Sequence, residues 1–381
     1  MVLQQWPERR MTTVYINGKF AAQRTTGVQR VAAHLTLALD AELAASPARS
    51  ASPWVLLCPP GAPVLPLQRI TVRHVGPAGL PLHVWEQFFL PLAARRGLLV
   101  NLAGAAPFFA RFQVCLLHDA AVFDHPEAYA RAFVAWYRLL FRRLARSAAK
   151  LLTVSAFSRA RLALHLGLDP ARLGVVPNGC DHLQAVVTDA SVIARLGLAG
   201  TRFLLAVASA NPTKNLAALV AAYARLPADP LRRLVIVGGG NPRVFAGSAT
   251  NDPPGVLRTG PLGDAELKAL YGHATALVFP SLYEGFGLPP LEAMACGCPV
   301  AAAQAASIPE VCGDAALYFD PQSVDAIAAA LQRLLTDEAL RERLRAAGLA
   351  RAATHPWSAA ASVLRAELNA VLKAETAGTA A

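Results

Sequence analysis

Short runs of apolar residues alternate with stretches of helical period almost from one end of the chain to the other. The β-rich runs are TVYI, WVLLC, TVRHV, LLVNL, QVCLL, LLTV and LGVV as far as Val176, then FLLAVA, RLVIVG, TALVF, PVAAA and ALYF. Helical patterns lie between them, among others at Val28–Leu43, Glu127–Ala149, Leu216–Arg225 and Asp264–His273. Buried strands separated by helices predict an α/β chain whose parallel sheets are covered on both faces. The series runs twice, with a break at DHLQAVVTDASVIARLGLAG (Asp181–Gly200). Two Rossmann-like domains facing across a cleft are therefore expected: residues 1–185, residues 186–356, and a last helix, residues 357–381, that crosses back to the first domain. Ligands of such sheets bind beyond the carboxyl ends of the strands, so the cleft is the expected site.

Composition fits this picture. A chain of 381 residues is too long for one ordinary core and suits two domains. With 54% hydrophobic and 16% charged residues it is not a disordered chain. The net charge of +11 and pI near 9.8 favour anionic partners such as nucleotides or acidic lipid surfaces. Nucleic acid is not expected, since zinc spacing, a ribonucleoprotein aromatic motif and a basic tail are all missing. Six cysteines (Cys58, Cys115, Cys180, Cys296, Cys298 and Cys312) sit in apolar contexts, as in a reducing compartment rather than a disulfide framework. The C-x-C of Cys296 and Cys298 lacks a second pair or a nearby histidine, so no metal is expected. MVLQQWPERRMTTVYING has no apolar signal core, and Met11 reads as a start after a loose leader of residues 1–10. GLLVNLAGAAPFFA is too short and interrupted to cross a bilayer. A cytoplasmic protein, soluble or peripheral on the inner membrane face, is expected.

The densest chemistry lies in FPSLYEGFGLPPLEAMACGCPVAA, Phe279–Ala302. An apolar strand stops at Pro280, and LPPLEAMACG reads as a helix with prolines in its first turn and a stop at Gly297. Gly285 and Gly287 thus mark a strand-to-helix corner where backbone approaches a ligand closely. The helix start behind it is a seat for phosphate. Glu284 and Glu292 would repel phosphate, but a carboxylate accepts hydrogen bonds well from neighbouring sugar hydroxyls. The pair suits a ligand that carries both groups, as a nucleotide sugar does. The plain alternative is a helix entry with solvated glutamates.

This stretch resembles the E-x7-E signature of retaining nucleotide-sugar glycosyltransferases of the GT-B fold, family 4, and SIPEVCGDAALYFDP (Ser307–Pro321) resembles the segment after it. The resemblance implies that Glu284 binds donor-sugar hydroxyls and Glu292 the ribose diol. It implies that the amides of Gly285, Phe286, Gly287 and Leu288 hold the diphosphate and sugar.

Other stretches are similar to the same family. In AVASANPTKNLAALV, Lys214 precedes a helix where an ammonium would neutralise a leaving diphosphate, although Thr213 stands where the family has arginine. RTTGVQRVAAHL resembles the loop that approaches the donor from the opposite domain; Thr26 and Gln29 fit a capping box, Gly27 permits close approach, and Arg30 is read as a phosphate or acceptor contact. The His118-Asp119 pair resembles the one near the donor sugar, and Leu262 falls in the segment that abuts the base. Ser155 and Ser158 are expected to cap the helix at Phe157–Leu166, and PNGCD reads as a turn with a lining or hinge role. Arg131, Arg138, Arg142 and Arg146 share one face of an amphipathic helix, with Phe133, Trp136, Leu140 and Leu144 opposite. That basic face is either plain solvated surface or a patch for an anionic membrane.

The resulting expectation is a metal- and cofactor-independent hexosyltransferase with catalytic Glu284, His118 and Lys214. Its donor would be a nucleotide sugar, best GDP-mannose. Its acceptor would be a glycan, free or on a polyprenyl diphosphate, in surface polysaccharide assembly. The rivals are an inactive nucleotide-sugar-binding scaffold and a soluble-sugar transferase or phosphorylase.

Overall fold

The computed structural model of the chain describes residues 12–45, 52–239 and 252–378. The proposed start at Met11 and the leader before it lie outside the described residues. Strands β1 (Thr13–Asn17), β2 (Trp54–Cys58), β3 (Thr71–His74), β4 (Gly97–Asn101), β5 (Gln113–Leu116), β6 (Lys150–Thr153) and β7 (Leu173–Val175) make one parallel sheet in the order β3-β2-β1-β4-β5-β6-β7. Strands β8 (Arg202–Val207), β9 (Arg232–Val237), β10 (Val256–Gly260), β11 (Ala276–Phe279), β12 (Val300–Ala303) and β13 (Leu317–Phe319) make a second, in the order β10-β9-β8-β11-β12-β13. The central strands read as unbroken apolar runs because helices cover both faces: Val14 pairs with Trp54 and Leu98, Leu205 with Val235 and Leu277, and all are buried.

Each sheet reverses its winding once, between β1 and β4 and between β8 and β11. At such a reversal the chain leaves neighbouring strands in opposite directions and opens a crevice. The loops that flank the second crevice follow β8 and β11, and they carry Lys214 and Glu284.

The last helix, Trp357–Gly378, packs along the helix Gly27–Ala45 of the first half. PNGCD anchors it. A Cβ on Gly179 would lie 2.4 Å from the backbone nitrogen of Trp357, so only glycine admits that chain. Cys180 N–H donates to the His355 carbonyl at 2.9 Å, and Trp357 N–H donates to Asp181 Oδ1 at 2.8 Å.

Two local expectations change. Glu127–Ala149 is not one helix: a 3-10 turn at Pro126–Ala128 is followed by extended Tyr129 and Ala130 before the helix Arg131–Ser147. That helix buries Val134, Leu140, Phe141, Leu144 and Ala145, whereas Trp136 is 37% exposed. Arg138 is only partly exposed, and its guanidinium reaches back to the Val122 and Phe123 carbonyls at 2.8 and 3.4 Å. Arg131, Arg142 and Arg146 stay exposed beside Trp136 and Leu139.

Candidate active site

Pro280–Gly287 turns the chain from β11 into the helix Leu288–Ala295. Gly287 caps that helix with φ at +93°, a left-handed conformation that glycine takes without strain. No side chain caps the start, and Pro289 and Pro290 carry no N–H, so the Leu288 N–H and the partial positive charge of the helix start are left for a ligand. Phe286 and Leu288 bury their side chains, which leaves only their backbone on offer. Gly285 is needed for a reason the sequence did not show. A Cβ there would lie 2.3 Å from the His118 carbonyl oxygen and 3.0 Å from Asp119 Cβ, so the close approach is to the other half of the protein. The Gly285 carbonyl accepts from Ser155 Oγ at 2.6 Å and Ser158 Oγ at 3.0 Å. Ser155 also caps the helix Ala156–Leu166, whereas Ser158 spends its hydroxyl on Gly285 and on the His118 carbonyl instead of capping.

Lys214 closes a 3-10 turn after β8, and its Nζ stands 2.7 Å from Glu284 Oε1. Both side chains are partly open to solvent, at 22% and 12% exposure. Asn215 holds this loop to the corner by donating to the Pro280 carbonyl at 3.2 Å. Asp119 lies close to the pair: burial pushes its carboxyl up, Lys214 pulls it down and Glu284 pushes it up again, with a net rise. Thr213 does not replace arginine as a ligand. It is buried, its hydroxyl donates to Asn211 Oδ1 at 2.9 Å and its carbonyl accepts Leu282 N–H at 2.8 Å, which ties the two loops together.

Glu292 is 4% exposed and faces the junction of the halves. His182 Nε2 lies 3.1 Å from its Oε1, Tyr271 donates to its Oε2 at 3.1 Å, and Arg30 Nε comes from the first half to 3.9 Å. Burial alone would push this carboxyl up, but His182, Arg30 and Tyr271 hold it below the usual range. Arg30 is forked onto Asp264, with bonds of 2.9 and 2.6 Å, and so is paired across the cleft rather than free for phosphate. Burial pushes the His34 imidazole beside this cluster down to about 4.

His118 Nε2 is 2.9 Å from the Leu102 carbonyl, which only accepts, so that nitrogen carries the proton and Nδ1 is the free acceptor. Burial holds the ring neutral, pushing its pKa down to about 4. Gly27 opens the helix Gly27–Ala45, where a Cβ would meet open space; the Thr26 hydroxyl donates to the Gln29 side-chain oxygen there, a side-chain contact that is not itself a capping box. Leu262 is half-buried against the main apolar core just before Asp264. All six cysteines are free, and only Cys296 is not fully buried.

The structure thus gathers Glu284, Lys214, Asp119 and the His118 backbone around one corner, with Glu292 in a separate buried cluster. Sequence reasoning missed Tyr283, Asp264, Tyr271, His182 and Glu310. Tyr283 donates across the cleft to Asp124 Oδ2 at 2.9 Å. Glu310 accepts from the Ala156 and Phe157 N–H groups at 2.7 and 3.0 Å, so a carboxylate of the second half caps a helix of the first. Glu310→Ala should cost about 1 kcal/mol, as for other lost caps, and lower Tm by about 2–4 °C. Calorimetry checks this; an unchanged Tm would show the cap adds nothing.

Two family models match the chain, "Glycosyltransferase Family 4" over residues 26–183 and "Glycosyl transferases group 1" over residues 193–351. The chain belongs to the family 4, group 1 glycosyl transferases. It is 33% identical over 253 residues to the O-antigen chain mannosyltransferase B of Escherichia coli, covering 64% of this chain and 66% of that protein. It therefore spans slightly under two thirds of that relative. Among solved structures it resembles a sucrose-phosphate synthase of Thermosynechococcus elongatus, with TM-score 0.73, 20% identity and coverage of 96% and 100%. It also resembles Anabaena HepE in complex with UDP-glucose, with TM-score 0.68, 19% identity and coverage of 94% and 100%. The fold is GT-B, as in these glycosyltransferases.

Proposed function

We propose that this family member is a retaining hexosyltransferase that moves mannose from GDP-mannose to a hydroxyl of a growing glycan in surface polysaccharide assembly. The observation that carries the proposal is the Lys214–Glu284 pair at 2.7 Å, set beside an uncapped helix start at the reversal point of the second sheet. When the bond between the anomeric carbon and the phosphate oxygen breaks, positive charge develops on the sugar and negative charge on the diphosphate. The helix start and Lys214 would stabilise the departing charge. Glu284 would hold the sugar by its hydroxyls, and His118 Nδ1 would accept from another. As in the family it resembles, the acceptor oxygen would attack from the leaving-group face and its proton would pass to the leaving phosphate oxygen.

The mannosyl assignment draws on the E. coli relative's name, and the HepE complex supports a nucleotide-sugar donor. Arg131, Arg142 and Arg146 beside exposed Trp136 and Leu139 support a lipid-linked acceptor met at an anionic inner membrane face. Phe108 extends that surface: its ring is 6.2 Å from Trp136 and 5.0 Å from Phe109, itself 75% exposed. Among the described residues no helix is long and apolar enough to cross a membrane. A binding scaffold is the second reading, favoured by the missing arginine at Thr213.

A thermal-shift panel of GDP, UDP and dTDP, each with and without its sugar, tests the donor. A ligand at a hundred times its Kd adds about 2.7 kcal/mol, which is about 5–10 °C in Tm. GDP-mannose should give the largest shift. A larger shift with a UDP-sugar would replace the donor, and no shift with any of them would remove the proposal.

A further inference from the structure

The hinge segment does more than hold the last helix. Trp357 Nε1 lies 3.2 Å from His182 Nδ1, and an indole N–H can only donate. His182 Nδ1 is therefore an acceptor, and the ring carries its proton on Nε2. That nitrogen stands 3.1 Å from Glu292 Oε1, in a bent approach that falls short of a straight hydrogen bond. Tyr271 takes the opposite oxygen. The His182 and Glu292 side chains are only 2% and 5% exposed, so water does not compete for these groups. His34 fixes the plane of the imidazole, its ring 4.4 Å from His182 and 5.3 Å from Trp357.

We infer that Trp357, through the tautomer it imposes on His182, sets the orientation of the Glu292 carboxylate, which makes His182 a positioning residue for the nucleoside end of the donor. The inference rests on the reading of Glu292 as the ribose-binding carboxylate. A neutral imidazole turns its N–H edge toward Glu292 without adding charge, which biases the orientation of the carboxylate and leaves its negative charge available. A hydroxyl diol needs both. The last helix, whose first residue is Trp357, thereby reaches the donor site from the far side of the hinge. Because Glu292 would contact the nucleoside and not the reacting bond, the effect belongs in donor binding rather than in the chemical step.

The test is steady-state kinetics on the full chain, using whichever of the GDP-, UDP- and dTDP-sugars the wild-type protein turns over fastest. Trp357→Phe keeps the ring and removes the donor; His182→Phe removes both contacts; His182→Gln offers an amide N–H at similar reach. Freeing the carboxylate from the ring that orients it predicts a donor KM raised about tenfold or more in Trp357→Phe and His182→Phe. The kcat should stay within about twofold and the acceptor KM should not move. His182→Gln should recover most of the loss. If Glu292→Gln raises donor KM while Trp357→Phe and His182→Phe do not, the inference falls and the reading of Glu292 stands. If Glu292→Gln leaves donor KM unchanged, that reading falls and the inference with it. Equal losses in kcat and in acceptor KM would mark a merely structural hinge and also overturn the inference.

Discussion

Replacing Lys214 with methionine is expected to lower kcat by about 10²–10³-fold, the scale seen when one pre-set electrostatic partner of a developing anion is removed. The residue has no understudy on its own loop. Where the family has arginine, Thr213 is buried and bonded to Asn211 and Leu282, so a leaving diphosphate would meet one ammonium there instead of two cations. Glu284→Gln should also abolish most transfer, since the amide keeps the shape but loses the charge that holds Lys214 and would hold a sugar hydroxyl. The two side chains touch at 2.7 Å, so their effects should not add. Kinetics on both single variants and the double variant check this. A double variant that loses the full product of the single losses would mean the pair does not act as a unit.

Gly285→Ala is the second large effect expected. The added methyl would sit 2.3 Å from a backbone oxygen, which cannot turn aside as a flexible side chain can. The corner must back away from His118, and the bonds from Ser155 and Ser158 to the Gly285 carbonyl break with that shift. Strain of this kind costs about 1–3 kcal/mol, and a displaced site costs about a hundredfold in turnover. The variant should fold, with lowered Tm and kcat/KM down by about that factor. Full activity would show that the corner does not work pressed against the first half.

The elements were legible where chemistry repeats locally. The buried strands announced themselves as apolar runs, the helix Asp264–His273 by its period, and the corner by two glycines, two prolines and two glutamates within a few residues. What stayed hidden was set by how the two sheets sit together. Arg30 is forked onto Asp264, Ser155 and Ser158 bond Gly285, and Glu310 caps a helix of the other half, all between residues more than a hundred positions apart. No local period encodes such pairs. The basic helix misled for another reason. Arg138 is amphipathic, and its head turns back onto carbonyls while Trp136 swings outward, so the burial face is not the one that charge and hydropathy alone draw. Glu292 was legible as one of a spaced pair of carboxylates, but its neighbours came from three distant segments.

Amide hydrogen exchange over residues 281–295, with and without saturating GDP-mannose, probes the claim on which the rest stands. If the uncapped helix start holds a diphosphate, exchange at the Gly285–Leu288 amides slows when the donor is added and returns when it is removed. Unchanged exchange there, with protection appearing only elsewhere in the chain, would contradict the account.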